Sequence, residues 1–252
     1  MVKEGKYIYC IVETNGQESF GNIGIGGRGD EVYAICFKDL GAVVSDSPVI
    51  KYPVSRENTL AHEKVIEKVM EEFTVLPVRF GTIAEGEEKI KHILENEYDR
   101  FEELLTMLED KKELGIKALY KEELIYKCIL EKYEDIRVLK EKVASLPPEK
   151  THYQRTEIGR MVENALQKEK EIDKEHILNT LSPLSVEFKT STAYGDRMVL
   201  NAAFLVEKKE EKEFDRRVNE LTEHYGEKML FKYIGIIPPF NFVNLVIETG
   251  NY

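Results

Sequence analysis

The chain has no tryptophan, and only three cysteines and five histidines among its 252 residues. Each shortage narrows what the protein can do. Cys10, Cys36 and Cys128 are odd in number and show no CxxC spacing, so they read as small apolar residues in a reducing compartment, not as a disulfide framework. His62, His92, His152, His176 and His224 are scattered, and none has a Cys or His partner at metal-ligand spacing. His62-Glu63 lacks the second histidine of a zinc HExxH site because position 66 is isoleucine. Neither a GxSxG elbow nor a Walker A loop occurs. No apolar run approaches the roughly 18 residues of a membrane span. Tyr7–Val12 is too short for a secretory signal and is closed by Glu13, so a cytoplasmic protein is expected. Basic residues are also scarce, 36 Lys and Arg against 47 Asp and Glu. The net charge of −11 disfavours nucleic acid and anionic headgroups as partners, since both need a basic surface.

What remains is a globular composition, 42% hydrophobic and 33% charged with both signs mixed, of a length for one large or two modest domains. The most telling stretch is Thr74–Gly81, a short apolar run between two helical patterns. Leu76, Val78 and Phe80 alternate as one face of a strand, with Val75, Pro77 and Arg79 on the other. A proline cannot donate to the ladder, so the strand is expected at an edge or bent at Pro77. Arg79 then either makes a structural ion pair or is presented to a partner.

In chain order, Tyr7–Val12 reads as a strand. Gly21–Asp30 contains a literal GxGxxG, Gly24-Ile25-Gly26-Gly27-Arg28-Gly29. A dinucleotide site requires a helix opening directly after it, and Glu31–Phe37 is strand-like instead, so a loop between strands is the better reading. Glu31–Ser45 is expected to be a hairpin turning at Asp39–Gly41. Ser55 caps a helix carrying Val65, Ile66, Val69, Met70 and Phe73. Glu87–Asp110 shows one continuous apolar helical stripe. Gly115–Tyr120 is a short strand, followed by a long helical stretch from Leu124 to Val143 that Pro147-Pro148 breaks. Thr151–Gln154 fits a capping box. The charged run Lys168–Glu175 suggests a solvated helix face or a connection. Val186–Thr192 and Arg197–Val206 form a hairpin, Lys208–Tyr225 a helix closed by Gly226, and Met229–Ile237 a last strand. Phe240–Ile247 follows as an apolar tail or extra strand.

This order predicts an α+β protein of two domains. Residues 1–114 form a mixed α/β domain. Residues 115–252 form a modified ferredoxin-like domain, β-α-β-β-α-β, with extra helices in its first crossover and a short tail. No catalytic, metal or cofactor set emerges. Two apolar, proline-bearing stretches emerge instead: Leu76, Pro77, Arg79 and Phe80 in the first, and Pro238, Pro239, Phe240 and Phe242 in the second. The second is either a tight turn into the core or a protein-contact surface.

These stretches, with the opening Tyr7-Ile8-Tyr9, Ala42–Asp46, His62-Glu63, Gly115–Lys117, the Arg160-centred helix, Asn201–Val206 and the closing Pro238–Phe242, resemble the gas vesicle protein F/L family along nearly the whole chain. The run Leu76-Pro77-Val78-Arg79-Phe80-Gly81 is its most specific part. One departure stands out: Ile236-Ile237 occupy the place where the family usually has Pro-Trp. The resemblance implies a minor structural or assembly protein without enzymatic activity or cofactor. It also implies association with the small hydrophobic shell protein and other vesicle accessory proteins, at the gas-facing side of the shell. The alternatives from other classes are a small-molecule or nucleotide-binding enzyme using the Gly24–Gly29 loop, and a ferredoxin-like regulatory binding module.

Overall fold

A computed structural model describes residues 3–16, 18–147, 151–243 and 245–247. The chain is α+β and divides into two compact units, Met1–Glu113 with Ile236–Tyr252, and Leu114–Gly235. The closing segment, expected as a tail of the second domain, therefore packs within the first unit. Pro148, half of the expected helix breaker, lies outside the described residues.

The first unit is built on β1 (Glu4–Glu13), whose residues from Tyr7 to Val12 are buried without a break. An uninterrupted apolar strand needs cover on both faces of its sheet. Helix α1 (Arg56–Met70) packs on β1 and β5 (Val75–Pro77), while α2 (Glu87–Asn96) packs on β3 (Val32–Phe37) and β4 (Leu40–Pro48). Helix α3 (Tyr98–Leu108) also lies against β1 and β5. The expected hairpin is β3–β4, paired antiparallel and turning at Lys38-Asp39. The sheet runs β2-β3-β4-β1-β5, with the three-residue β2 (Ser19–Gly21) ahead of the glycine loop and β6 (Ile83–Ala84) also on β1.

Strand β5 is last on this path, as Pro77 demands. It covers Cys10–Val12 of β1, and β6 covers Lys6-Tyr7. The chain between them loops outward, with Gly81 at φ +82 letting it double back. That loop, and not a continued strand, carries Arg79 and Phe80, so the expected alternation ends at Val78. The helical stripe expected from Glu87 to Asp110 is broken into α2 and α3 at Glu97, whose φ/ψ of −101/12 leaves the helical region.

The second unit runs β7 (Lys111–Tyr120), α4 (Glu122–Lys132), α5 (Glu134–Ala144), α6 (His152–Leu181), β8 (Glu187–Thr190), β9 (Met198–Glu207), α7 (Glu211–Tyr225) and β10 (Met229–Ile237). Its sheet order is β10-β7-β9-β8. The long helical stretch after β7 breaks at Tyr133, and the Thr151 side chain makes no capping bond: its hydroxyl accepts from Arg155 Nε at 3.1 Å. Helix α6 is 30 residues long and includes the charged run. Only part of that run is the solvated face expected: Lys168, Glu171 and Glu175 are exposed, while Glu169, Lys170 and Asp173 are buried. Glu169 takes Lys132 at 2.7 Å and the Tyr133 hydroxyl at 2.8 Å. Asp173 takes Lys228 at 2.8 Å and the Tyr120 hydroxyl. The partners come from α4, β7 and the approach to β10, residues far away in sequence, which is why local composition did not reveal the burial.

Candidate functional site

At the open edge of the first sheet, His62 of α1 sits in an aromatic box. It is 2% exposed. Its ring stacks on Tyr9 at 5.7 Å, meets Phe80 edge-on at 5.7 Å and is tilted against Phe240 at 6.3 Å. Burial lowers its pKa to about 4, with the Val78 backbone pulling weakly the other way, so the ring is neutral at physiological pH. Tyr7 accepts the Gly81 N–H at 2.9 Å and shares a hydrogen bond with His62 Nδ1 at 3.1 Å. His62 Nε2 is buried and has no hydrogen-bond partner among the described residues. Desolvation also raises the Tyr7 phenol, which stays protonated.

Beside the box opens a pocket of about 410 Å³. Pro77, Phe80, Phe240, Val243 and Leu245 form its apolar wall, and Thr59, His62, Glu63 and Arg79 its polar side. The closing segment completes it. Leu245 forms a parallel bridge to Val78 and accepts the Arg79 N–H at 3.3 Å. Pro238 and Pro239 are buried, while Phe240 keeps 39% of its surface exposed. The tight turn there is hydrogen-bonded from Phe242 N–H and Val243 N–H to the Pro239 carbonyl, at 3.1 and 2.9 Å.

Of the residues singled out in the sequence, Pro77, Arg79, Phe80 and Phe240 converge on this pocket. Leu76 is fully buried in the sheet, and Pro238, Pro239 and Phe242 shape the turn. Sequence reasoning named His62-Glu63 without placing it in a site, and left out Thr59. A histidine on an apolar helix face was the available signal, and its buried tyrosine partner comes from β1, 55 residues away.

The glycine loop has a different role. It is followed by β3, not a helix. Ile25 is fully buried, and its N–H donates to Tyr9 Oη at 2.8 Å. An open cleft of about 670 Å³ lies along Gly24, Gly26, Gly27 and Gly29. The start of α1 facing that cleft already has its Asn58 N–H bonded to Ser55 Oγ at 3.2 Å. Among the described residues no cluster of three or more His, Cys, Asp or Glu is placed to hold a metal ion, and no helix is long and apolar enough to cross a membrane.

The fold and this border define an α+β protein with an apolar, proline-bounded sheet edge. The chain belongs to the gas vesicle synthesis protein GvpL/GvpF family, whose model matches residues 5–244. Gas vesicle protein F of Dolichospermum flosaquae is 31% identical over 199 residues, covering 77% of this chain and 80% of that protein. Gas vesicle protein L1 of Halobacterium salinarum is 25% identical over 258 residues, covering 96% and 91%. The crystal structure of GvpF from Microcystis aeruginosa superposes with a TM-score of 0.75 at 24% identity, covering 96% of this chain and 99% of that one. A GvpF crystal structure from Anabaena gives a TM-score of 0.81 at 23% identity, with the same coverage. The protein therefore has a gas vesicle-related role.

Proposed function

We propose that this protein is a gas vesicle assembly factor or minor structural component that binds the small hydrophobic shell protein during vesicle formation, and that it acts without enzymatic chemistry. The observation that carries the reading is the half-exposed Phe240 beside Arg79 and Phe80, at the end of a sheet that this chain's own closing segment meets in the Val78–Leu245 bridge. An apolar edge of this kind is suited to hold a polypeptide that would otherwise aggregate. The edge strand β10 of the second sheet supports the same reading, since Leu230, Ile234 and Ile236 are all exposed along it. The net charge of −11 keeps such a complex dispersed. A place on the gas-facing side of the shell, with other vesicle accessory proteins as further partners, belongs to the proposal. So does a modified ferredoxin-like layout for the second domain, which the order β10-β7-β9-β8 and the succession β-α-β-β-α-β favour.

The test is retention of purified shell protein on the immobilised protein. Arg79→Ala and Phe240→Ala are expected to lower retention at least fivefold, and a deletion strain is expected to lack vesicles. Equal retention by both variants, with vesicles intact in the deletion strain, would sink the proposal.

A further inference from the structure

The pocket beside His62 is lined by two side chains of opposite charge, both solvent-exposed. Arg79 and Glu63 both line it, and neither has an ion pair among the described residues. Arg56 and Arg155 likewise have no ion pair among the described residues, so it is the place of Arg79 in the pocket that matters. Arg100, Arg137, Arg160, Arg216 and Arg217 each hold a carboxylate three or four positions away. Desolvation, together with neighbouring Glu67, raises the Glu63 pKa. A volume of about 410 Å³ falls in the lower part of the range for ligand pockets, roughly 300–1,000 Å³, and suits one or two side chains.

The charges decide between occupants. A purely apolar group would desolvate Arg79 and Glu63 without answering either. A simple carboxylate would suit Arg79 but be repelled by Glu63, and an amine would meet the reverse. A polypeptide segment with an apolar side chain flanked by both signs satisfies both. We propose that this pocket takes one apolar side chain of a partner polypeptide, set between an acidic residue that meets Arg79 and a basic residue that meets Glu63. This rests on the reading that the border docks a protein.

Isotope-labelled protein titrated with blocked tripeptides tests it by NMR. Acetyl-Glu-Leu-Lys-amide is expected to shift the His62 ring and Arg79 Nε resonances, with an affinity at least tenfold above acetyl-Glu-Leu-Glu-amide, acetyl-Lys-Leu-Lys-amide and acetyl-Glu-Ser-Lys-amide. Arg79→Glu is expected to switch the preference to Lys-Leu-Lys, a gain that misfolding cannot mimic. Equal binding of all four peptides, shifts outside the pocket, or an unchanged preference in Arg79→Glu would overturn the proposal. The shell-protein reading fails separately: if the peptides behave as expected while wild type and Arg79→Glu retain shell protein equally, the pocket assignment stands and its assigned partner is wrong.

Discussion

The carboxylate of Glu113 accepts two hydrogen bonds from Asn241, one from its backbone N–H at 3.1 Å and one from its side-chain amide at 2.5 Å. Glu113 is 1% exposed, and 128 residues separate it from its partner. This clamp ties the closing turn to the first unit and so holds Phe240, Val243 and Leu245 in the pocket wall. Hydrogen bonds to a buried charge contribute roughly 1.5–3 kcal/mol. Asn241→Ala, which removes one of the two, is expected to lower stability by about 2 kcal/mol in urea unfolding. Limited proteolysis is expected to cut the segment after Pro239 faster than in wild type. Unchanged cleavage would mean that the apolar contacts of Val243 and Leu245 hold the segment unaided.

His62 gives the protein an acid-sensitive element. Its folded pKa of about 4 lies below the ordinary value of 6.5 because the ring is buried. The unfolded chain therefore binds the proton first. The contribution is fully present above about pH 6.5 and is lost as pH falls towards 4. A shift of this size corresponds to roughly 3 kcal/mol. Unfolding free energy measured at pH 7, 5.5 and 4.5 should fall, and His62→Gln should flatten that part of the slope while lowering stability at pH 7. An NMR titration showing His62 protonated by pH 6 would contradict the buried neutral ring.

Much of this fold was legible where one local rule governs. Pro77 placed β5 at a sheet edge, the missing helix after Gly29 excluded a dinucleotide turn, and Ser55 and Gly226 marked helix ends. The pocket was legible in half: Pro77, Arg79, Phe80 and Phe240 stand in two apolar stretches, but nothing local says that the second returns to the first. That return is bonded at Glu113, one carboxylate among 47 acidic residues. The helix breaks at Glu97 and Tyr133 likewise interrupt continuous apolar stripes without a proline or glycine to announce them.

The polar core of the second unit yields a third prediction. Asp173 is buried on α6 and bonds Lys228 and the Tyr120 hydroxyl, and the Tyr225 hydroxyl lies 3.4 Å from its carbonyl oxygen. Removing one partner leaves a buried charge uncompensated, which costs about 3–5 kcal/mol, whereas replacing both by apolar groups of similar size is far less harmful. Lys228→Met is expected to destabilise by about 3 kcal/mol, and adding Asp173→Leu to recover much of that loss. Additive losses in this double-mutant cycle would show that Asp173 and Lys228 act independently.

The glycine loop supplies the last prediction, and it separates a structural loop from a cofactor cradle. Gly26 has φ +86, and a Cβ there would lie 3.2 Å from the Tyr52 hydroxyl. Gly27 and Gly29 also have positive φ but face open space. If the loop serves to seat Ile25 under Tyr9, backbone conformation and local crowding set the cost of substitution. Gly27→Ala should then lose about 1 kcal/mol and Gly26→Ala more, since the latter adds crowding to the strain. Neither substitution should alter ligand response, because the wild-type protein should show no melting shift with millimolar NAD or ATP. A stabilisation of several degrees that Gly27→Ala abolishes would make the cleft of Gly24 to Gly29 a nucleotide site and restore the enzymatic alternative.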